Sequence, residues 1–155
     1  PALETSEEDW DRVLDVNLKG AFFVATEAAR RMVSARKEGA IVNVASIAGI
    51  RVAGGIAPYA AAKAGLDHLT RTLAQEWARF GIRVNALAPG YIATDLNRDF
   101  LASAAGEAIR KRIPMRRFGG ASDLDGALLL LASEAGRFMT GATVVVDGGH
   151  LARSL

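Results

Sequence analysis

The 155-residue chain contains no cysteine, which excludes disulfide scaffolds, thiolate nucleophiles and cysteine metal sites. It has two histidines, His68 and His150, too few for a histidine cluster and without ligand spacing, so no metal site is expected. Aromatic residues make up only 6%, and 19 basic residues face 17 acidic ones. Without an aromatic platform or a concentrated basic face, nucleic acid is not an expected partner. The one basic run, Arg110-Lys111-Arg112, could meet an anionic substrate or carrier but reads more readily as a solvated face. Every apolar stretch is interrupted well short of the roughly 20 residues that span a bilayer, and no cationic segment with an apolar core opens the chain. A cytoplasmic protein without membrane association is therefore expected. An initiator methionine is lacking too, for Pro1 stands directly before a helical pattern.

What remains is an ordinary globular composition, 50% hydrophobic and 23% charged, at a length that suits one compact domain. Thr5 with Glu8, or Ser6 with Asp9, predicts a helix start. Apolar residues at Trp10, Val13, Leu14, Leu18, Phe22 and Ala25 then carry one long helix to Lys37-Glu38-Gly39, where Gly39 is expected to supply a left-handed stop. Ala40–Ala45 is short, β-branched and apolar on both parities apart from Asn43, the pattern of a buried parallel strand. Pro58 opens a second long helix reaching Phe80. Ile82–Ala88 forms the next strand, halted by Pro89-Gly90. Residues 91 to 121 are the least regular, with a helix expected from Leu96 to Arg112. Ser122 or Asp123 caps a further helix, and Thr143–Asp147 forms the last strand before Gly148-Gly149.

This alternation predicts an α/β architecture, a doubly wound parallel sheet of the Rossmann type. Three strands are few for such a sheet, and an apolar edge at Ile41–Ala45 would invite pairing. No glycine-rich phosphate loop occurs near the start of the chain, so the nucleotide-binding N-terminal half of the fold is expected to lie outside these residues.

The chemistry concentrates in three places. Tyr59 and Lys63 are four residues apart in the first turns of a helix and so share a face, where an ammonium and the positive helix end both favour an ionised phenol. Such a tyrosine can donate or accept a proton. Ser46 follows a parallel strand, at the sheet edge where open α/β folds bind ligands. There it can hold a substrate oxygen, or simply satisfy the backbone of a turn. Pro89-Gly90 ends a second strand at the same rim. Asn17, within the apolar face of the first helix, is either a structural hydrogen bonder or part of the site. Asp95 suits a cap for the helix that follows.

Val16-Asn17-Leu18, Ser46 with Tyr59 thirteen residues on, Tyr59-x-x-x-Lys63, Arg83-Val84-Asn85, Pro89-Gly90-x-x-x-Thr94 and Val146-Asp147-Gly148-Gly149 occur in this order and at this spacing. Together they resemble the short-chain dehydrogenase/reductase family over nearly the whole chain, with 3-oxoacyl-[acyl-carrier-protein] reductases and gluconate 5-dehydrogenases as similar members. The resemblance implies the C-terminal, catalytic half of an oxidoreductase using NAD or NADP on a small carbonyl or secondary alcohol. It implies a tetrad of Asn17, Ser46, Tyr59 and Lys63: Tyr59 as acid and base, Lys63 on the nicotinamide ribose, Ser46 on the substrate carbonyl and Asn17 holding a relay water. Pro89, Gly90, Ile92 and Thr94 would follow the nicotinamide and its phosphates. Residues 96 to 118 would form a substrate lid, with His150 as a further substrate contact. A homotetramer is implied, with Gly65, Leu69, Leu73, Trp77 and Phe80 at one interface and the last strand with helix 122 to 135 at the other. The alternative reading of the same residues is a truncated or non-catalytic scaffold subunit.

Overall fold

The computed structural model describes residues 1–152. Three parallel strands, β1 (Gly39–Val44), β2 (Ile82–Pro89) and β3 (Thr143–Val146), lie in the order β1-β2-β3. Gly39 to Val44 pair with Ile82 to Leu87, and Ala86 to Pro89 with Thr143 to Val146. All three point their C-terminal ends to one rim. The expected α/β parallel architecture is present, and β1 forms one edge of the sheet.

Alternation along β2 assigns its two faces. Ile82 and Val84 enter a core with Ala25, Ala29, Leu73 and Ala74, supplied by helix α2 (Gly20–Ser34) and helix α3 (Ala57–Trp77). Arg83 and Asn85 turn to the other face and meet the end of helix α6 (Asp125–Ala132). The Arg83 guanidinium donates to the carbonyls of Leu131 at 2.8 Å and Ser133 at 3.1 Å. These acceptors belong to a helix C-terminus, where carbonyls lack intrahelical partners and a cation complements the dipole. Asn85, fully buried, donates to Met139 O at 2.8 Å and accepts from Ala142 N at 3.0 Å. Asn43, the polar exception in β1, donates to Thr70 Oγ1 at 2.9 Å, so its burial carries no unmet donor.

The first helix departs from expectation. Helix α1 (Glu7–Leu14) starts on Ser6, whose hydroxyl accepts from Asp9 N at 3.1 Å; Thr5 instead donates to Pro1 O. Between α1 and α2 lies a single wide π turn, Asp15–Lys19, in which the Gly20 N–H reaches Asp15 O. The turn seats Leu18 over Gly65 of α3. The left-handed stop also falls elsewhere: Arg36, with φ of 53°, takes it, and Gly39 already belongs to β1.

The expected helix from Leu96 to Arg112 is two short ones, α4 (Arg98–Ala102) and α5 (Ala104–Arg110). They break at Ser103, whose extended backbone and hydroxyl cap α5 through Gly106 N at 3.3 Å. Asp95 does not cap α4; it pairs with Arg98, while Asn97 occupies the cap position. Asp123 accepts from Gly120 N at 2.7 Å and so closes the turn that precedes α6. Among the described residues, no helix is long and apolar enough to cross a membrane.

Candidate active site

The C-terminal ends of β1 and β2 open into a cleft of about 1110 Å³. Ser46, Tyr59, Lys63, Pro89, Gly90, Ile92 and Thr94 all line it. Three segments of the chain thus converge where parallel sheets bind ligands.

Each is held by a local cause. Ala45 N donates to Leu87 O at 2.8 Å, extending β1 to the residue before Ser46. Ser46 then begins a short 3-10 turn, Ile47–Gly49, and its hydroxyl accepts from Ala48 N at 3.1 Å. The modest turn-closing role therefore applies, while the hydroxyl hydrogen stays available because accepting does not consume it. Gly49 lets this turn settle on α3: a Cβ there would stand 2.7 Å from the Lys63 carbonyl carbon. Gly90 does the same at the neighbouring strand end, where a Cβ would stand 2.8 Å from Asp147 Cα. Pro58 lies in the first turn of α3 and brings Tyr59 to the rim.

Lys63 ties these pieces together. Its Nζ donates to Val44 O, the last residue of β1, at 2.9 Å, and sits 5.6 Å from the centroid of the Tyr59 ring. Partial burial pushes the ammonium below the usual lysine range, because desolvation disfavours its charged form. Asn17 is not in the cleft. It lines an adjoining depression of about 530 Å³, between the π turn and the open edge of β1, and Lys63 lines both cavities. The Asn17 amide donates to Val13 O at 3.0 Å.

The family model described as enoyl-(acyl carrier protein) reductase matches residues 1–150. The chain belongs to that short-chain dehydrogenase family. It is 42% identical over 153 residues to the 2-dehydro-3-deoxy-D-gluconate 5-dehydrogenase of Escherichia coli (strain K12), covering 98% of this chain and 60% of that protein. Against the 3-oxoacyl-[acyl-carrier-protein] reductase FabG of Rickettsia felis it is 42% identical over 150 residues, covering 97% of this chain and 61% of that protein. Its backbone superposes with a TM-score of 0.94 and 39% identity on a gluconate 5-dehydrogenase from Burkholderia cenocepacia J2315, solved with NADP and tartrate, covering 99% of this chain and 60% of that one. The short-chain dehydrogenase chain thus spans about 60% of the length of the relatives it matches.

Two further residues line the cleft, Asn97, which the sequence did not single out, and Arg112, for which it favoured a solvated face. Asn97 donates to Ile92 O and accepts from Thr94 N, each at 2.8 Å, and so fixes the loop carrying both. Its spacing after Pro89-Gly90 holds the only hint, a turn-forming residue three positions after Thr94. Arg112 was hidden in the basic run. Arg110 grips Glu107 and the Arg116 carbonyl, Lys111 lies 3.9 Å from Glu107, and Arg112 alone of the three reaches the cleft. His150 also lines the cleft, 5.7 Å from the Tyr91 ring, and its carbonyl accepts from Arg51 at 3.1 Å. Among the lid residues, Phe100 and Ile109 face the cleft, whereas Ile113 is buried beneath Gly148 and Met115 lies beside it.

Proposed function

We propose that the chain is the C-terminal catalytic part of an NAD(P)-dependent oxidoreductase that interconverts a carbonyl and a secondary alcohol. The observation carrying this reading is the convergence of Tyr59, Lys63 and Ser46 on one cleft at the C-terminal rim of a parallel sheet. The lining fits the nicotinamide end of the coenzyme: an apolar floor from Pro89, Gly90 and Ile92, the Thr94 side, and a cation at Lys63. Residues 1–155 contain no glycine-rich loop for the pyrophosphate, which we assign to a preceding N-terminal segment of the parent protein.

When bound, the nicotinamide supplies the hydride in reduction and accepts it in oxidation. In reduction Ser46 Oγ donates a hydrogen bond to the carbonyl oxygen and orients it. Tyr59 Oη gives its proton to that oxygen as the carbon gains the hydride, leaving the alcohol and a phenolate. The Lys63 ammonium stabilises the phenolate and, through the depression it shares with Asn17, connects Tyr59 to solvent for reprotonation. Oxidation reverses each proton movement. Asn17 acts through Lys63 by way of the depression that both line, which accords with its place outside the cleft.

The relatives include a 2-dehydro-3-deoxy-D-gluconate 5-dehydrogenase and a 3-oxoacyl-[acyl-carrier-protein] reductase, so their names support a carbonyl or alcohol substrate without choosing between those classes. For assembly we propose a homotetramer. Leu129 at 65% exposed on α6, Val145 at 40% on β3 and Phe138 at 101% in the segment between them leave apolar surface that supports one interface there. The other interface needs revision. Leu73 is buried and Leu69 and Trp77 pack on the chain's own core, so of the residues expected there only Phe80 presents a large apolar side chain outward. A cytoplasmic setting goes with the coenzyme.

The reading is tested on the full-length protein. Tyr59→Phe should lower kcat by about 10²- to 10⁴-fold, the span of acid-base catalysis, while coenzyme Kd stays within about twofold of the parent. Turnover close to the original rate would remove Tyr59 as proton donor.

A further inference from the structure

The cleft is cationic. Arg51, Lys63 and Arg112 line it, and among the described residues no aspartate or glutamate does. Lys63 is committed to Val44 O and Tyr59, and Arg51 to the His150 carbonyl. Arg112 has no ion pair and no side-chain hydrogen bond among the described residues, although both of its neighbours in the run are drawn to Glu107. It follows α5 directly, so the lid that carries Phe100 and Ile109 into the cleft carries this guanidinium as well. Leu124 lines the cleft as well.

A guanidinium without a carboxylate partner among the described residues, in a cleft that also carries apolar side chains, favours a planar anion that takes two parallel N–H bonds. Part of the cleft must hold the nicotinamide end, which leaves room for a small molecule. We propose that Arg112 is a specificity residue that binds the carboxylate of the substrate, and that the substrate is a small hydroxy or oxo acid. This rests on the oxidoreductase reading above. Charge at Arg112 then orients the acid so that its reacting carbon faces Tyr59 and Ser46. Arg51 adds to the positive field while tethering the tail at His150.

The test measures oxidation by the full-length protein of matched pairs that differ in one carboxylate: D-glucitol and D-gluconate, D-mannitol and D-mannonate, galactitol and D-galactonate. Reduction of acetoacetyl-CoA is run beside them, because its phosphates offer the same sign of charge from another source. An acid preferred over its polyol by about tenfold or more in kcat/KM is expected. Arg112→Ala should raise KM for that acid about ten- to a hundredfold, the worth of a hydrogen bond to a charged group, with kcat falling far less and coenzyme Kd unmoved. Arg112→Lys should recover part of the loss. A polyol oxidised as well as its acid, acetoacetyl-CoA as the best substrate, an unmoved KM in Arg112→Ala, or coenzyme binding with no acid turned over would each overturn the proposal. Failure to bind either coenzyme would instead sink the oxidoreductase reading on which it stands.

Discussion

Lys63 is the residue on which most of the site's geometry depends. Its ammonium is partly desolvated, so its folded pKa is depressed below 10.5 and the charged form costs the folded state something at neutral pH. That cost is present below the folded pKa and disappears as pH rises past the unfolded value. Lys63→Met, which keeps the length of the stem, should therefore abolish turnover while leaving the melting temperature at pH 7 unchanged or higher. A large fall in melting temperature would mean that the bond to Val44 O outweighs desolvation. Asp123 has the opposite sign. Arg117 and the Gly120 N–H hold its carboxyl well below the usual range, so it stabilises the fold above about pH 3.8, and that contribution fades as pH falls. Asp123→Ala should melt lower than the parent at pH 7, with the gap closing on titration below pH 4. A constant gap would contradict the assignment. Asn97 was not legible as a site residue from sequence, and the basic run offered Arg112 only as the less favoured reading. Asparagine in a loop and arginine in a basic run have commoner explanations, and only the fold separates Arg112 from Arg110.

At the scale of elements, strands were the most legible. Each is a short β-branched run stopped by proline, glycine or a polar turn, and the observed spans differ from expectation by a residue at most. The interrupted first helix was not legible. Val13, Leu14, Leu18 and Phe22 keep helical spacing in the sequence across the π turn, so the apolar pattern carries no mark of the interruption. The break at Ser103 was masked by alanines, whose helix propensity suits either a continuous or a divided helix. Gly49 carries the sharpest consequence at this scale. It is the point where the turn bearing Ser46 touches α3, and any side chain there meets backbone rather than a movable group. Gly49→Val should cost about 1–3 kcal/mol of stability and lower kcat more than Gly54→Val, since Gly54 faces open space. Chemical denaturation with parallel turnover measurements checks both; equal effects at the two glycines would refute the close-contact account.

At the scale of the molecule, the sheet has one end that invites continuation. β1 is an edge strand, and Val24 and Val44 beside it are exposed at 73% and 55%, an apolar surface next to unpaired backbone. Asn17 and Lys63 face the same depression. A further parallel strand on that edge would cover the apolar surface and complete the wall of the coenzyme cleft, in line with relatives of which this chain spans about 60%. On the proposed reading, nucleotide binding is a property of the full-length protein, and these residues contribute the nicotinamide end. The most direct measurement is a fluorescence titration of NADH and NADPH into the full-length protein and, in parallel, into residues 1–155. Saturable binding of at least one coenzyme to the full-length protein, at one site per chain and lost or greatly weakened in residues 1–155, is the predicted result. A full-length protein that binds neither coenzyme would contradict the account at its centre.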